Sequence, residues 1–113
     1  RIELVQPVYT AVNVTGTVYV KPHFEGCIDE ITETVKRRIN YLDSEKNFGE
    51  RLHFDEVFHA VEMLEGVEFV YDLSIHPQSR NAAAMEDADI IPAFNCLLYP
   101  GLINIETVTA ADV

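Results

Sequence analysis

The stretch that decides the fold reads NFGERLHFDEVFHAVEMLEGV, residues 47–67. After a Phe48-Gly49 turn it carries apolar residues at helical spacing, namely Phe54, Val57, Phe58, Val61 and Leu64. This period predicts an amphipathic helix over about residues 55–65, with Asp55 as its N-cap and Gly66 as its stop. The helix divides the chain into a regular part before it and a less regular part after it.

The part before this helix predicts one strand and one further helix. Residues 1–9 are expected to be a lead-in interrupted by Pro7, and alternation from residue 11 then predicts a strand with a valine face: Val12, Val14, Val18 and Val20. A single apolar stripe predicts the first helix: Ile28, Ile31, Val35, Ile39 and Leu42. We expect Phe48 to fold back under that helix and Gly49 to adopt a backbone conformation that favours glycine.

The part after residue 66 is harder to assign. Residues 67–75 predict a second strand, in which Val70 breaks the alternation and indicates a bulge or a strand covered on both faces. Residues 78–89 are polar and alanine-rich, compatible with a loop or with a helical turn over residues 82–88. Residues 90–99 are apolar but broken by Pro92, and they indicate no single structure. Pro100-Gly101 predicts a turn, residues 102–108 a last strand, and residues 109–113 a frayed tail.

The order β-α-α-β-β predicts an α+β fold, with two helices packed on one face of a small, mostly antiparallel sheet. We expect the first and second strands to pair and the last to add at an edge. The 113 residues fit one domain, residues 1–113. Because the chain opens at Arg1 without a methionine, we expect it to be cut from a longer protein.

The composition is that of an acidic globular protein. With 48% hydrophobic residues, the chain is not a disordered tail, and no apolar run reaches the roughly 20 residues that span a bilayer. Its formal charge of −11 repels phosphate backbones and anionic membranes, so we expect neither nucleic acid nor membrane as a partner. Cys27 and Cys96 are expected to be small hydrophobes in a reducing compartment, with a disulfide between them as the alternative.

No arrangement of residues predicts a catalytic, cofactor or metal site. The histidines share no HxxxH or HExxH spacing: His23, His53, His59 and His76. The acidic run at residues 86–89 lacks the spaced ligands of an EF-hand loop, which favours a solvated loop. The serines lie in no GxSxG elbow, and the glycines form no nucleotide-binding pattern. We therefore predict a protein that is not an enzyme and binds no cofactor.

One set of apolar residues exceeds what a small core needs. It comprises Met63, on the outer flank of the predicted second helix, and a later block of Ile90, Ile91, Phe94, Leu97, Leu98 and Tyr99. The block has two compatible interpretations: it closes the core from the open side of the sheet, or it is a docking surface for neighbouring subunits.

Several segments occur in a characteristic order: VTGTVYVKP (residues 14–22), YLD (41–43), FGERL (48–52), a helix opened at Asp55, EGVEFV (65–70) and YPGLINI (99–105). Together they resemble the C-terminal region of the baseplate J-like family, the wedge proteins of contractile phage tails and related injection machines. The resemblance covers about residues 12–108. Residues 78–98 depart from it, because they are longer and more apolar than expected there.

The resemblance implies a structural role in wedge assembly, through contacts with other baseplate proteins and with copies of the chain itself. It implies a location in the virion, or in the bacterial cytoplasm during assembly, and it transfers no catalytic residue. The alternative is a small α+β ligand-binding or regulatory module of a bacterial protein, which would hold a ligand on the sheet face or on residues 90–99. A closed pocket with convergent polar groups would favour this alternative. A third hypothesis, a metal-dependent hydrolase, requires at least three histidines or carboxylates around one point.

Overall fold

The computed structural model describes residues 6–109, which form five strands and two α-helices. The elements follow in the order β1 (Val8–Val20), α1 (Ile28–Ile39), α2 (Phe54–Glu62), β2 (Val67–Pro77), β3 (Ala83–Glu86), β4 (Asp89–Pro92) and β5 (Cys96–Thr109). A short 3-10 turn, Glu25–Cys27, precedes α1. Neither helix of the described residues is long and apolar enough to cross a bilayer.

Three strands form the main sheet, with β1 between β2 and β5. β1 is antiparallel to β2 and parallel to β5, while β3 and β4 form a separate antiparallel hairpin. Two of the three strand pairs are therefore antiparallel. The predicted α+β fold is confirmed, including the pairing of the first two main strands and the position of the last strand at an edge.

The core lies between the helices and one face of this sheet. α1 packs against β5, α2 packs against β2, and the two helices contact each other. Fully buried residues come from β1 and from both helices: Val12, Val14, Val18, Ile31, Val35, Val57 and Val61. A period of two in the strand and of three to four in the helices places these side chains on facing surfaces.

α1 ends at Ile39, before the predicted Leu42. Asn40 has an extended backbone, and its Oδ1 accepts a hydrogen bond from the Leu42 N–H (2.9 Å). The Asn40 carbonyl also accepts the Ser44 hydroxyl (2.8 Å). These local bonds compete with a further helical turn. Leu42 is consequently 72% exposed instead of lying in the apolar stripe, so that part of the prediction is wrong.

α2 begins before Asp55, so the prediction that Asp55 is the N-cap is wrong. His53 occupies the N-cap position, but its side chain makes no capping bond. A distant carboxylate acts instead, because Asp89 Oδ1 accepts the Phe54 N–H at 2.7 Å. Asp55 lies exposed in the first helical turn.

α2 also ends before Gly66, which is therefore not the helix stop that the sequence predicts. The last helical residue is Glu62, and Met63 is the C-cap. Gly66 has a packing role: a Cβ added there would lie 2.8 Å from Cδ1 of Phe24. The absence of a side chain lets the loop before α1 pack onto the start of β2.

β2 contains the irregularity that Val70 predicts. Thr17 of β1 pairs with Asp72, whereas the next residue, Val18, pairs with Val70, so Tyr71 has no partner in the register. A second shift follows near the end of β1. The predicted bulge is therefore confirmed, and it increases the local twist of the strand pair.

β5 is longer than predicted because it begins at Cys96 and continues through Pro100-Gly101. The register against β1 shifts at this point. Asn13 accommodates the shift, because its Oδ1 accepts bonds from the Leu102 N–H (2.9 Å) and from Gln78 Nε2 (3.0 Å). The predicted turn is wrong: the Pro-Gly pair forms an irregularity inside a strand.

The ends of the main strands also differ from the prediction. β1 begins at Val8, which pairs with Cys96, so the predicted lead-in over residues 1–9 is too long. Thr109 belongs to β5 and not to a frayed tail. The rest of that predicted tail, residues 110–113, and the first five residues of the predicted lead-in lie outside the described residues.

Residues 78–98 contain the β3–β4 hairpin instead of a helical turn, so the helical alternative for residues 82–88 is wrong. Ala83 pairs with Pro92 and Glu86 pairs with Asp89. Asp87 occupies the turn with a φ of 57°. Two main-chain hydrogen bonds, 2.8 and 3.0 Å long, join Ile90 to Leu52 and hold the hairpin against the segment before α2.

Candidate interaction surfaces

A polar cluster joins the β3–β4 hairpin to the start of α2. Asp89 Oδ2 accepts a hydrogen bond from Arg51 Nε (2.8 Å) and lies 3.3 Å from His53 Nδ1. Glu86 adds a second carboxylate, whose Oε1 lies 3.3 Å from Arg51 Nη1. The predicted solvated loop at residues 86–89 is therefore wrong for Asp89, whose side chain is only 18% exposed.

These contacts favour the ionised form of Asp89. The Phe54 N–H bond, followed by the guanidinium of Arg51, holds the pKa of this carboxyl below its ordinary value despite its partial burial. The charge also lies at the positive end of the α2 dipole. Sequence reasoning missed this cap because 35 residues separate the carboxylate from the N–H that it binds. The cluster is structural, since every contact in it orders the chain.

The histidines do not converge on one site. His53 lies against Asp89, whereas His76 Nε2 lies 3.2 Å from Ser74 Oγ on β2. Within residues 6–109, no three His, Cys, Asp or Glu side chains are placed to hold a metal ion. The described residues therefore do not provide the ligand set that a metal-dependent hydrolase requires.

The predicted apolar interface divides into buried and exposed residues. The buried members are at most 7% exposed: Ile90, Leu97 and Leu98. They pack inside the chain itself, which is the first of the two interpretations of the block. Ile91 is half-buried. The exposed members are Met63 (69%), Phe94 (74%) and Tyr99 (40%). A partner can reach these three without any unfolding of the domain.

Phe94 lies in a surface cleft of about 220 Å³ that we call the Phe94 cleft, lined by Pro7, Phe48, Phe94 and Asn95. Phe48 is 53% exposed on this surface and does not fold back under α1, so that prediction is wrong. Two phenyl rings from separate loops thus share one cleft. Sequence reasoning identified Phe94 but not Phe48 as part of this surface.

Main-chain geometry fixes the walls of the Phe94 cleft. Gly49 has a φ of +71°, as expected, and its N–H donates to the Cys96 carbonyl (3.0 Å). On the opposite side, the Val8 N–H donates to the Asn95 carbonyl (2.9 Å). Both bonds join a loop residue to the first residue of β5 or β1. The sheet therefore fixes the positions of the loops that line the cleft.

The other cavities are either very small or open. An enclosed one beside Ile39, Leu52 and Cys96 has about 10 Å³, room for about one water molecule. A groove of about 390 Å³ runs between α1 and α2, where Arg37 and Met63 line it. Polar side chains make up most of its lining, but the groove is open to solvent and is not the closed pocket that would favour a small-molecule module.

The sheet has a second exposed surface, on the side away from the helices, which we call the open face. The Tyr19 and Phe69 rings stack there with centroids 4.5 Å apart, and the Tyr71 ring lies 6.0 Å from Tyr19. In a regular strand Tyr71 and Asp72 would point to opposite faces. The bulge brings both onto the open face, which strict alternation does not predict.

The two cysteines are free and buried, as expected for small hydrophobes. Burial raises the pKa of both thiols, and the nearby Glu30 carboxylate raises that of Cys27 further. Neither thiol therefore has the lowered pKa of a reactive cysteine. The alternative disulfide is not formed.

No family model matches the chain, and no curated protein matches it. The resemblance to the baseplate J-like family therefore stays a prediction from the sequence segments quoted above.

Proposed function

We propose that this chain is a structural domain of a phage-tail-like baseplate that acts through protein–protein contacts. The observation that carries the proposal is the Phe94 cleft, where Phe48 and Phe94 are both more than half exposed. Exposed apolar surface gains roughly 25 cal/mol per Å² when a partner covers it. A preformed cleft also loses little conformational freedom on binding, since main-chain bonds already hold it.

The resemblance to the baseplate J-like family supports a baseplate as the assembly in which the domain acts. Its segments lie in or beside the main elements of the domain: VTGTVYVKP includes the end of β1, FGERL precedes α2, and YPGLINI lies in β5. The family implies contacts with other baseplate proteins and with further copies of the chain. The proposal accordingly includes a location in the virion, or in the bacterial cytoplasm during assembly.

The proposal also states that the domain is not an enzyme. The described histidines and acidic residues either order the chain, as in the Asp89 cluster, or lie apart on the surface. The enclosed cavity beside Glu50 holds only about 10 Å³, and the groove beside Asp43 and His59 is open to solvent. Robust turnover of a substrate, abolished by one side-chain change, would overturn this part of the proposal.

The test is deletion of the gene in the source strain, followed by purification of contractile-tail particles. We expect the wild-type protein to copurify with the particles, and the deletion strain to lack assembled baseplates in electron micrographs. Restoring the gene should restore the baseplates. Intact baseplates without the gene, or particles free of the protein, would contradict the proposal.

A further inference from the structure

We propose that the open face of the sheet docks an arginine-bearing segment of a partner protein. In this arrangement guanidinium groups stack on the exposed rings of Tyr71 and Phe69 and pair with the carboxylates of Asp72 and Glu106. This surface is separate from the Phe94 cleft, and the inference does not depend on the proposed baseplate role.

The aromatic part of the open face is available for stacking. Phe69 is 45% and Tyr71 67% exposed, and both rings lie within 6.0 Å of Tyr19. Tyr19 covers one face of the Phe69 ring, while about half of Phe69 and most of Tyr71 remain exposed. A guanidinium stacks on aromatic faces more readily than a lysine ammonium does, because it is planar and weakly hydrated.

The acidic part lies in the next row of the same face. Thr17 at the centre pairs with Asp72 on β2 and with Glu106 on β5. Two strand spacings therefore separate the acidic residues, roughly 10 Å. They line one shallow depression of about 220 Å³. Neither carboxylate forms an ion pair or hydrogen bond with any other described residue.

The negative charge of the open face and of the whole chain favours a basic partner segment. The remaining residues around the depression are neutral: Thr15, Gly16, Thr17 and Asn104. The whole chain has a net charge of −11, so its field attracts a basic segment and repels a second copy, a nucleic acid or an anionic membrane. The bulge that places Tyr71 beside Asp72 lets one arginine contact a ring and a carboxylate together.

The test uses the isotopically labelled chain and a short extended peptide with arginine at alternate positions, followed by NMR. We expect the largest shift changes at Thr17, Tyr71, Asp72 and Glu106. The double variant Asp72→Asn/Glu106→Gln should weaken binding about tenfold, because it removes both of the exposed ion pairs that the arginines form. The same peptide with lysines should bind about threefold more weakly, because it loses most of the stacking.

The matched control is Asp55→Asn/Glu65→Gln, which removes the same charge from exposed positions on and after α2. It should change the affinity by less than about twofold, because only the long-range field is altered. Four outcomes would overturn the inference: equal loss in both double variants, shifts centred on the helices, equal binding of the lysine peptide, or no binding. Self-association through the open face would identify a second copy as the occupant and would also overturn it.

Discussion

Asp89 shows how a single carboxylate connects two elements that are far apart in sequence. It belongs to β4, yet it accepts the Phe54 N–H at the start of α2 and pairs with Arg51 in the segment before that helix. Asp89 accepts these bonds as an ionised carboxylate. The stability of the contact between β4 and the start of α2 therefore depends on its charge as well as on geometry.

Replacing Asp89 with alanine should lower the free energy of unfolding by about 1 kcal/mol, because α2 loses its cap. The control is Asp55→Ala, at the position that the sequence predicts as the cap. It should have a smaller effect, since the helix-capping bond in the structure comes from Asp89. Urea unfolding at pH 7 measures both variants. A larger loss for Asp55→Ala would show that the assigned cap is wrong.

The same residue predicts a pH dependence. Its folded-state pKa is lower than the ordinary value, so its charge contributes stability above the unfolded pKa, and that stability is lost as the pH falls through the folded pKa. The stability gap between the wild type and Asp89→Asn should therefore be largest near pH 7 and shrink below about pH 4. A gap that stays constant down to pH 3 would show that charge is not its cause.

At the scale of elements, the loop that carries Phe48 depends on Gly49. Its φ of +71° disfavours any residue with a Cβ, and a Cβ there would lie 3.0 Å from Cα of Phe94. Gly49→Ala should lower the free energy of unfolding by roughly 1–2 kcal/mol and disturb the Phe94 cleft. Thermal unfolding tests this against Gly26→Ala, where nothing lies within 4 Å of the added Cβ. Equal effects of the two changes would contradict the strained position of Gly49.

Val61 in the last turn of α2 and Met63, its C-cap, should respond differently to the same substitution. Val61 is fully buried, whereas Met63 is 69% exposed. Val61→Asp should unfold the domain because it buries an unpaired charge, and Met63→Asp should leave it folded. Circular dichroism and a thermal melt distinguish the two results. A soluble, cooperatively folding Val61→Asp protein would mean that the buried face of α2 is assigned wrongly.

The sequence predicts the parts of this fold that repeat locally. Alternating valines predict β1, and apolar stripes predict the two helices, because each pattern indicates which face of the element is buried in the core. The cap by Asp89, the passage of β5 through Pro100-Gly101 and the burial of Leu97 depend on partners distant in the chain. Such contacts leave no local pattern, so the sequence predicts the cap and the Pro100-Gly101 conformation wrongly and leaves the burial of Leu97 as one of two interpretations.

The candidate surfaces likewise divide into residues that a local sequence pattern predicts and residues that only distant pairing brings together. Phe94 was predicted as an interface residue because it is apolar in a segment that resembles no regular element. The alternative module was expected to use the sheet face or residues 90–99, but no residue of the open face was predicted, because its acidic and aromatic residues meet only through strand register and the bulge. A mixed polar and aromatic surface therefore becomes visible only once the pairing of β1, β2 and β5 is known.

At the scale of the whole molecule, the helices cover one face of the sheet, and contact surfaces remain at the open face and the Phe94 cleft. The chain carries 19 acidic against 8 basic residues, which favours basic partners over further copies of itself in dilute solution. We accordingly expect the isolated domain to be monomeric or weakly self-associating. In an assembly, the two surfaces can be covered at the same time by different neighbours.

The most direct test of the central claim is photocrosslinking inside contractile-tail particles from the source strain. A benzophenone-bearing phenylalanine analogue at position 94 is compared with the same group at position 42, where Leu42 is equally exposed but lies outside both surfaces. Position 94 should crosslink to another protein of the particle, and position 42 should not. Particles that contain the protein but give no crosslink from position 94 would contradict an assembly role for the Phe94 cleft.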